Sequence, residues 1–198
     1  MTILAAIFGI IFAFIAVGSF GLIALFFACD KAALTKNQSA MRTKRTIENL
    51  GSLNKKALAK LEPFVAAAEL AMFAKGVTVE VISGLRSWAA QAALYASGRT
   101  KAGPIVTKAK PGSSWHNYGL AIDLGLFKNG VYLDEKKPAE ADKLYAEIGR
   151  IAEANGIEWA GHWKTFPETP HFQVTFGLSL AQARERMEAN GKDIQKIV

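Results

Sequence analysis

The amino-acid sequence predicts an α+β domain with a partly antiparallel sheet, preceded by one membrane-spanning helix. Residues 3–28 contain no charged side chain, and an apolar run of that length can cross a hydrocarbon layer of ~30 Å. Beyond it, segments with helical spacing of apolar residues alternate with short segments rich in β-branched residues. Asn129-Gly130 lies between two apolar segments and is typical of a hairpin turn, which joins antiparallel strands.

Residues 1–29 are therefore interpreted as a transmembrane helix or signal-anchor. A cleaved signal peptide is an alternative, but no basic residue precedes the run and the run exceeds a usual signal-peptide core. Cys29, the one cysteine of the chain, suggests a lipoprotein cleavage site, yet bulky Phe26 and Phe27 directly precede it. A buried core helix is a third alternative, although a helix this long that is apolar all round is unusual in a small domain.

Residues 30–52 are polar and basic, and we predict that they form a linker to a domain at 53–198. All charged residues lie at or after Asp30, so the net charge of +7 belongs to this part of the chain. Such a surface suits nucleic acid, an anionic membrane or an anionic wall polymer, and an ordinary solvated surface is equally compatible with it. Because basic residues follow the apolar run and none precedes it, the positive-inside rule favours a cytoplasmic domain.

Within 53–198 the elements follow from periodicity and from glycine stops. The predicted helices span 53–76, 87–98, 139–156 and 180–191. The predicted strands span 77–84, 118–127, 131–133 and 170–176. Helices and short strands are thus mixed, and the hairpin after 118–127 makes part of the sheet antiparallel.

His116 and Asp123 are the first candidates for chemistry. His116 ends a loop rich in Gly and Ser, and Asp123 follows it by seven residues inside an apolar strand. A carboxylate among Ala, Ile and Leu is costly to bury unless it is paired or binds a metal. Taken singly, a surface histidine and a carboxylate satisfied by backbone amides are ordinary alternatives.

A second segment adds His171 and Glu168, three residues apart around Pro170. Proline disfavours helix at the residue before it, so His171 is expected at the start of a strand. Zinc sites built from several cysteines are excluded by the single cysteine, whereas His116, Asp123 and His171 supply the three ligands of a catalytic zinc site. Glu168 is then a candidate general base and Arg86 a candidate partner for the oxyanion, although a surface ion pair is the ordinary role of such an arginine.

These residues also carry a family resemblance. The segments 83–124 and 158–180 contain S-x-H-x-x-G-x-A-x-D, W-x-G-x-W and P-H-F. This pattern closely resembles the L-alanyl-D-glutamate peptidases of phage endolysins, within the zinc D-Ala-D-Ala carboxypeptidase family. The similarity extends from about Leu53 to about Asn190. It implies a small, mostly antiparallel sheet with helices packed on it, the fold of the Hedgehog and D-Ala-D-Ala-peptidase group.

The resemblance implies one zinc ion bound by His116, Asp123 and His171. The acidic base of the family falls on Glu168, where endolysin members more often have Asp, and its arginine falls on Arg86. The serine of the motif is Ser114, which we expect to support the zinc site by hydrogen bonding. His162 stands where relatives usually have Asp. A tolerated surface change is the favoured interpretation there, with a role behind the zinc ligands or against substrate as the alternative.

The function implied is hydrolysis of the peptidoglycan stem peptide, with the L-Ala–D-Glu bond as the favoured target. Two alternatives stay open: D,D- or L,D-carboxypeptidase activity on the same stem, and a non-catalytic wall-binding module. We expect a monomer without a nucleic-acid partner, held in the inner membrane by a single pass. Its substrate requires the domain to face the periplasm or wall, against the charge bias, which sets orientation only statistically.

Overall fold

The computed structural model describes residues 42–198. The predicted transmembrane helix at 1–29, the lipoprotein alternative at Cys29 and the first part of the predicted linker lie outside the described residues. Within 42–198, none of the helices combines the length and the apolar character needed to span a membrane.

Helices and short strands are interspersed along the described residues. The helices are α1 (Lys44–Gly51), α2 (Lys55–Phe73), α3 (Trp88–Ala96), α4 (Leu133–Lys136), α5 (Pro138–Ala154) and α6 (Leu180–Ala189). The strands are β1 (Thr78–Ser83), β2 (Ala121–Lys128), β3 (Val131–Tyr132), β4 (Glu158–Trp159) and β5 (His171–Gln173). Short 3₁₀ helices lie at Trp115–Tyr118, Ala160–His162 and Ile194–Lys196.

All five strands form one antiparallel sheet in the order β1-β2-β5-β4, with β3 paired to the far end of β2. β2 is the longest of the five and is hydrogen-bonded on both sides, and five of its eight residues are buried. The turn between β2 and β3 places Asn129 and Gly130 at positive φ, as a tight hairpin turn requires. The α+β class and the antiparallel sheet predicted from the sequence are confirmed.

The hydrophobic core lies between the sheet and the long helices α2 and α5. Phe64 of α2 packs against Phe172 of β5 with ring centroids 5.0 Å apart, and both side chains are fully buried. Tyr145 of α5 is equally buried, and its hydroxyl donates to the carbonyl of Leu124 at 2.8 Å. Burial of aromatic side chains of this size stabilises a fold strongly, so the core holds β2 and β5 in place.

The helix α1 lies inside the predicted linker, which extended to residue 52. Its Thr46 and Leu50 side chains are buried. Thr46 Oγ1 accepts from the backbone N–H of Val81 at 3.1 Å, and Asn49 Nδ2 donates to the Val81 carbonyl at 2.8 Å. These bonds satisfy the backbone of Val81 on the free edge of β1. The folded unit therefore begins before residue 53, because α1 covers an edge strand that would otherwise be exposed.

Candidate metal centre

Three segments that are distant in the sequence bring His116, Asp123 and His171 together. His116 lies on the 3₁₀ helix Trp115–Tyr118, which ends at Gly119 with a φ of 65°. Asp123 lies in β2, directly opposite His171, the first residue of β5. Because directly opposed residues on adjacent strands share a face of the sheet, this register places the carboxylate beside the imidazole.

The candidate ligand atoms converge on one point. His116 Nε2 and His171 Nδ1 each lie 3.1 Å from Asp123 Oδ1, and the two nitrogens lie 3.1 Å from each other. The two imidazoles are buried, whereas the Asp123 side chain keeps 20% of its surface exposed. Two imidazoles and one carboxylate with an open side are the donor set of a catalytic zinc site.

Hydrogen bonds on the outer side of each imidazole leave the inner nitrogen free. His116 Nδ1 lies 2.8 Å from the carbonyl oxygen of Gly84, which can only accept, so His116 donates from Nδ1. His171 Nε2 lies 2.9 Å from Gln173 Oε1 and donates to it. The lone pairs of His116 Nε2 and His171 Nδ1 therefore face Asp123, and all three groups fit a metal ion.

The pKa values of Asp123 and His171 are shifted by burial and by the neighbouring groups of the site. Burial acts to raise the pKa of Asp123, but His116 and His171 outweigh it and hold that pKa well below its usual range. Burial acts to lower the pKa of His171, whereas the Asp123 carboxylate raises it because the protonated imidazole can donate to it from Nδ1, and the net shift is upward. Asp123 is thus held as a carboxylate, the form that binds a cation.

Arg86 lies against Asp123 on the side away from the histidines. Its Nη2 donates to Asp123 Oδ2 at 3.1 Å and to Ser83 Oγ at 2.9 Å, and its Nη1 donates to Gln91 Oε1 at 3.0 Å. Gln91 is fully buried in α3. Arg86 also lines the cavity in front of the three ligand groups, so part of its guanidinium is available to a bound molecule.

Glu168 lines the same cavity, which has a volume of about 1050 Å³. The Glu168 carbonyl accepts from the His171 N–H at 3.2 Å, which ties its loop to the start of β5. Burial raises the pKa of the Glu168 carboxyl. A carboxyl with a raised pKa beside a metal site is suited to exchange protons near neutral pH. Apolar and basic groups complete the wall, including Leu94, Val106, Lys108, Trp163 and Phe166.

The remaining two candidates differ in position. Ser114 lines the cavity, but the structure gives its hydroxyl no hydrogen bond to another described residue, so the expected support of the zinc site is not observed there. His162 lies outside the cavity lining with its side chain 62% exposed, and its Nδ1 lies 2.7 Å from Glu153 Oε1. Its ring also contacts Trp159 edge-on, with centroids 4.6 Å apart.

Sequence reasoning missed three residues behind the ligands. Gly84 provides the carbonyl that orients His116, while Gln173 and Glu158 form a hydrogen-bonded chain behind His171. Gln173 alternates with His171 along a strand, which places both on one face and could have identified it. Glu158 becomes a candidate only when the pairing of β4 with β5 is known.

Comparison with known proteins finds similarity to peptidases. Residues 107–174 match a family model described as D-alanyl-D-alanine carboxypeptidase. A relative, the peptidoglycan L-alanyl-D-glutamate endopeptidase CwlK of Bacillus subtilis, is 42% identical over 106 residues, which are 50% of this chain and 62% of that protein. The chain thus spans less than two thirds of the length of this relative.

Two solved structures are similar. One is the L-Ala D-Glu endopeptidase ChiX of Serratia marcescens, with 27% identity, a TM-score of 0.45, and coverage of 68% of this chain and 89% of that one. The other is a mutant of the vancomycin resistance D,D-pentapeptidase VanY from a VanB-type cassette, in complex with Zn(II). It has 18% identity, a TM-score of 0.42, and coverage of 70% of this chain and 81% of that one. The resemblance inferred from the sequence is confirmed: the segment that holds His116, Asp123, Glu168 and His171 matches the D-alanyl-D-alanine carboxypeptidase family.

Proposed function

We propose that this protein is a zinc-dependent peptidase that hydrolyses the L-Ala–D-Glu bond of the peptidoglycan stem peptide. The observation that carries the proposal is the convergence of two imidazole nitrogens and one carboxylate oxygen beside a cavity lined by Glu168 and Arg86. The choice of bond is supported by the 42% identity to a relative named as an L-alanyl-D-glutamate endopeptidase.

In this proposal His116, Asp123 and His171 hold the zinc. When bound, zinc supplies Lewis acidity and an acidified water molecule. Glu168 accepts a proton from the attacking water and passes it to the leaving amine, as a general base and then a general acid. Arg86 keeps Asp123 in position through Nη2 and offers its remaining N–H groups to the oxygen on which negative charge develops.

A carboxypeptidase acting on the same stem is the second candidate function. It is favoured by the match of residues 107–174 to a family model described as D-alanyl-D-alanine carboxypeptidase. Both activities would use the same ligands and the same base, and they differ in which end of the peptide the cavity admits. The wall-binding module is a third, weaker candidate, since Glu168 and all three ligand groups are present.

We further propose that residues 1–29 anchor the domain in the inner membrane and that the domain acts as a monomer in the periplasm or at the wall. The support is the uncharged stretch at 3–28 together with the location of the proposed substrate. Protease added to intact spheroplasts should degrade the domain. Complete protection would place it in the cytoplasm, as the basic residues after the stretch favour.

The activity can be tested with the full chain purified in mild detergent. Zinc content is measured first, and the same sample is then incubated with muropeptides whose new termini are identified by mass spectrometry. We expect about one zinc per chain and a new N-terminus at D-Glu. Release of D-Ala alone would establish the second candidate, and zinc binding without any cleavage would establish the binding module.

A further inference from the structure

A chain of hydrogen bonds runs from the back of His171 to the protein surface. Glu158 of β4 lies directly opposite Gln173 of β5. Gln173 Oε1 lies 2.9 Å from His171 Nε2, and Gln173 Nε2 donates to Glu158 Oε2 at 2.9 Å. The other oxygen of Glu158 accepts from Trp163 Nε1 at 2.8 Å. A single carboxylate therefore contacts the partner of His171 and an aromatic wall of the cavity.

The chemistry of these groups determines which one donates and which one accepts in each hydrogen bond. A carboxylate only accepts hydrogen bonds, so Glu158 requires the NH₂ group of Gln173 to face it. The amide oxygen of Gln173 must then face His171, which obliges His171 Nε2 to carry the hydrogen. Gln173 is 3% exposed, so solvent does not compete for either end of the amide. The lone pair of the imidazole is left on Nδ1, the atom that faces Asp123 and His116.

We propose that Glu158 and Gln173 are positioning residues that select the tautomer of His171 whose Nδ1 can bind the metal. The inference rests on the proposed metal site and extends it to two residues outside the candidate ligand set: Gln173, which lines the cavity, and Glu158, which does not. Groups that orient a metal-binding histidine in this way raise the affinity of the site. The second bond of Glu158, to Trp163, holds the indole 5.5 Å from the His171 ring, centroid to centroid.

The variant E158Q separates selection of the tautomer from simple packing, because it preserves side-chain shape. Its amide can face Gln173 with NH₂, in which case Gln173 turns over and His171 carries its hydrogen on Nδ1, where it blocks the metal. The new amide can instead turn its NH₂ group toward Trp163. That group then faces the indole N–H, which is also a donor, and the hydrogen bond to Trp163 is lost. In either arrangement the tautomer with hydrogen on His171 Nε2 is less strongly favoured.

The double variant E158Q/Q173E exchanges the amide and the carboxylate. Gln at 158 can accept from Trp163 and donate to Glu at 173, and that carboxylate accepts from His171 Nε2. Every hydrogen bond of the original chain is then restored with the same direction at His171. A matched control is E153Q, which makes the same substitution at an exposed glutamate that contacts His162.

The test measures zinc affinity by competition with a chelator and identifies the His171 tautomer in the metal-free protein by long-range ¹H–¹⁵N NMR at alkaline pH. We expect E158Q to bind zinc about tenfold or more weakly and to show hydrogen on Nδ1. The double variant should show the wild-type tautomer and bind zinc at least as tightly as the wild type, and E153Q should match the wild type in both measurements.

Wild-type affinity together with the wild-type tautomer in E158Q would overturn the inference, and so would a folded double variant as weak as E158Q. If E158Q does not fold, the double variant alone decides the matter. A wild-type protein that binds no zinc would instead refute the proposed function, while the tautomer measurement would still test the hydrogen-bond chain.

Discussion

Glu168 lines the same cavity as the ligand residues, but among the described residues its carboxylate makes no hydrogen bond to Asp123 or His116. Replacing it with Gln removes the proton acceptor and leaves the three ligand groups intact. We expect E168Q to keep its zinc and to lose about 10²–10⁴-fold in the rate of peptide cleavage, the usual contribution of general acid–base catalysis. The measurement is turnover of muropeptides at matched zinc content.

The E153Q protein is the control for this substitution, because Glu153 is an exposed carboxylate outside the cavity lining. It should cleave at the wild-type rate. If E168Q cleaves as fast as E153Q, Glu168 is not the base, and the proton acceptor must be sought elsewhere in the cavity.

Gly84 has no room for a side chain. A Cβ atom there would collide with the carbonyl of Asn49 and lie 2.7 Å from Ser52 Oγ, so Ala must displace the backbone that contacts His116. We expect G84A to reduce the free energy of unfolding by about 1–3 kcal/mol and to weaken zinc binding. Chemical denaturation and chelator competition measure the two effects.

Gly51 offers a matched control because a Cβ atom added there would meet no other atom within 4 Å, and its φ is not positive. G51A should be neutral or slightly stabilising. Equal stability of G84A and G51A would show that the backbone at Gly84 can shift without cost.

Residues with rare chemistry were predictable from the sequence, and residues with common chemistry were not. The chain has three histidines, so few combinations could form a metal site, and the family pattern pointed to two of them. Glu158 and Gln173 are residue types that usually lie at the surface. Their connection depends on pairing between β4 and β5, which composition and spacing do not reveal.

Two substitutions in the helix α1 test whether the folded unit includes it. Leu50 is 3% exposed, whereas Ile47 on the same helix is 55% exposed. If α1 belongs to the fold, L50A should lower the free energy of unfolding by about 2–5 kcal/mol, since it leaves a cavity. I47A should change it by less than about 0.5 kcal/mol. If urea denaturation shows that both substitutions change the free energy of unfolding by similar small amounts, α1 is part of the linker and not of the folded unit.

Long helices and strands that flank a clear turn signal could be predicted from the sequence, whereas short elements could not. The long helices α2 and α5 and the β2–β3 hairpin carry strong periodicity or an Asn-Gly turn, and the structure has them at the predicted places. The strand β4 has two residues, which is too short for any period to be visible. The helix α1 was hidden by basic residues such as Lys44 and Arg45, whose charge suggested a tether.

For the whole molecule, removing the metal should lower thermal stability. Three groups that all act as hydrogen-bond acceptors meet within 4.8 Å, and a ligand that binds only the folded state stabilises it by about 2.7 kcal/mol at a free concentration of 100 Kd. We expect chelation to reduce Tm by several degrees and added zinc to restore it, as followed by circular dichroism. In H171A the chelator should leave Tm unchanged. A wild-type Tm that is insensitive to chelator would indicate that the fold does not depend on the metal.

The pairing of Asp123 with His171 also has a consequence for folding kinetics. The two residues are 48 positions apart and become neighbours only when β2 and β5 have aligned. A shift of one residue in that alignment would turn His171 to the opposite face of the sheet. During refolding, therefore, the appearance of tight zinc binding would report when the central strands reach their native alignment. The rate at which tight binding appears would then measure how fast this long-range strand pair forms.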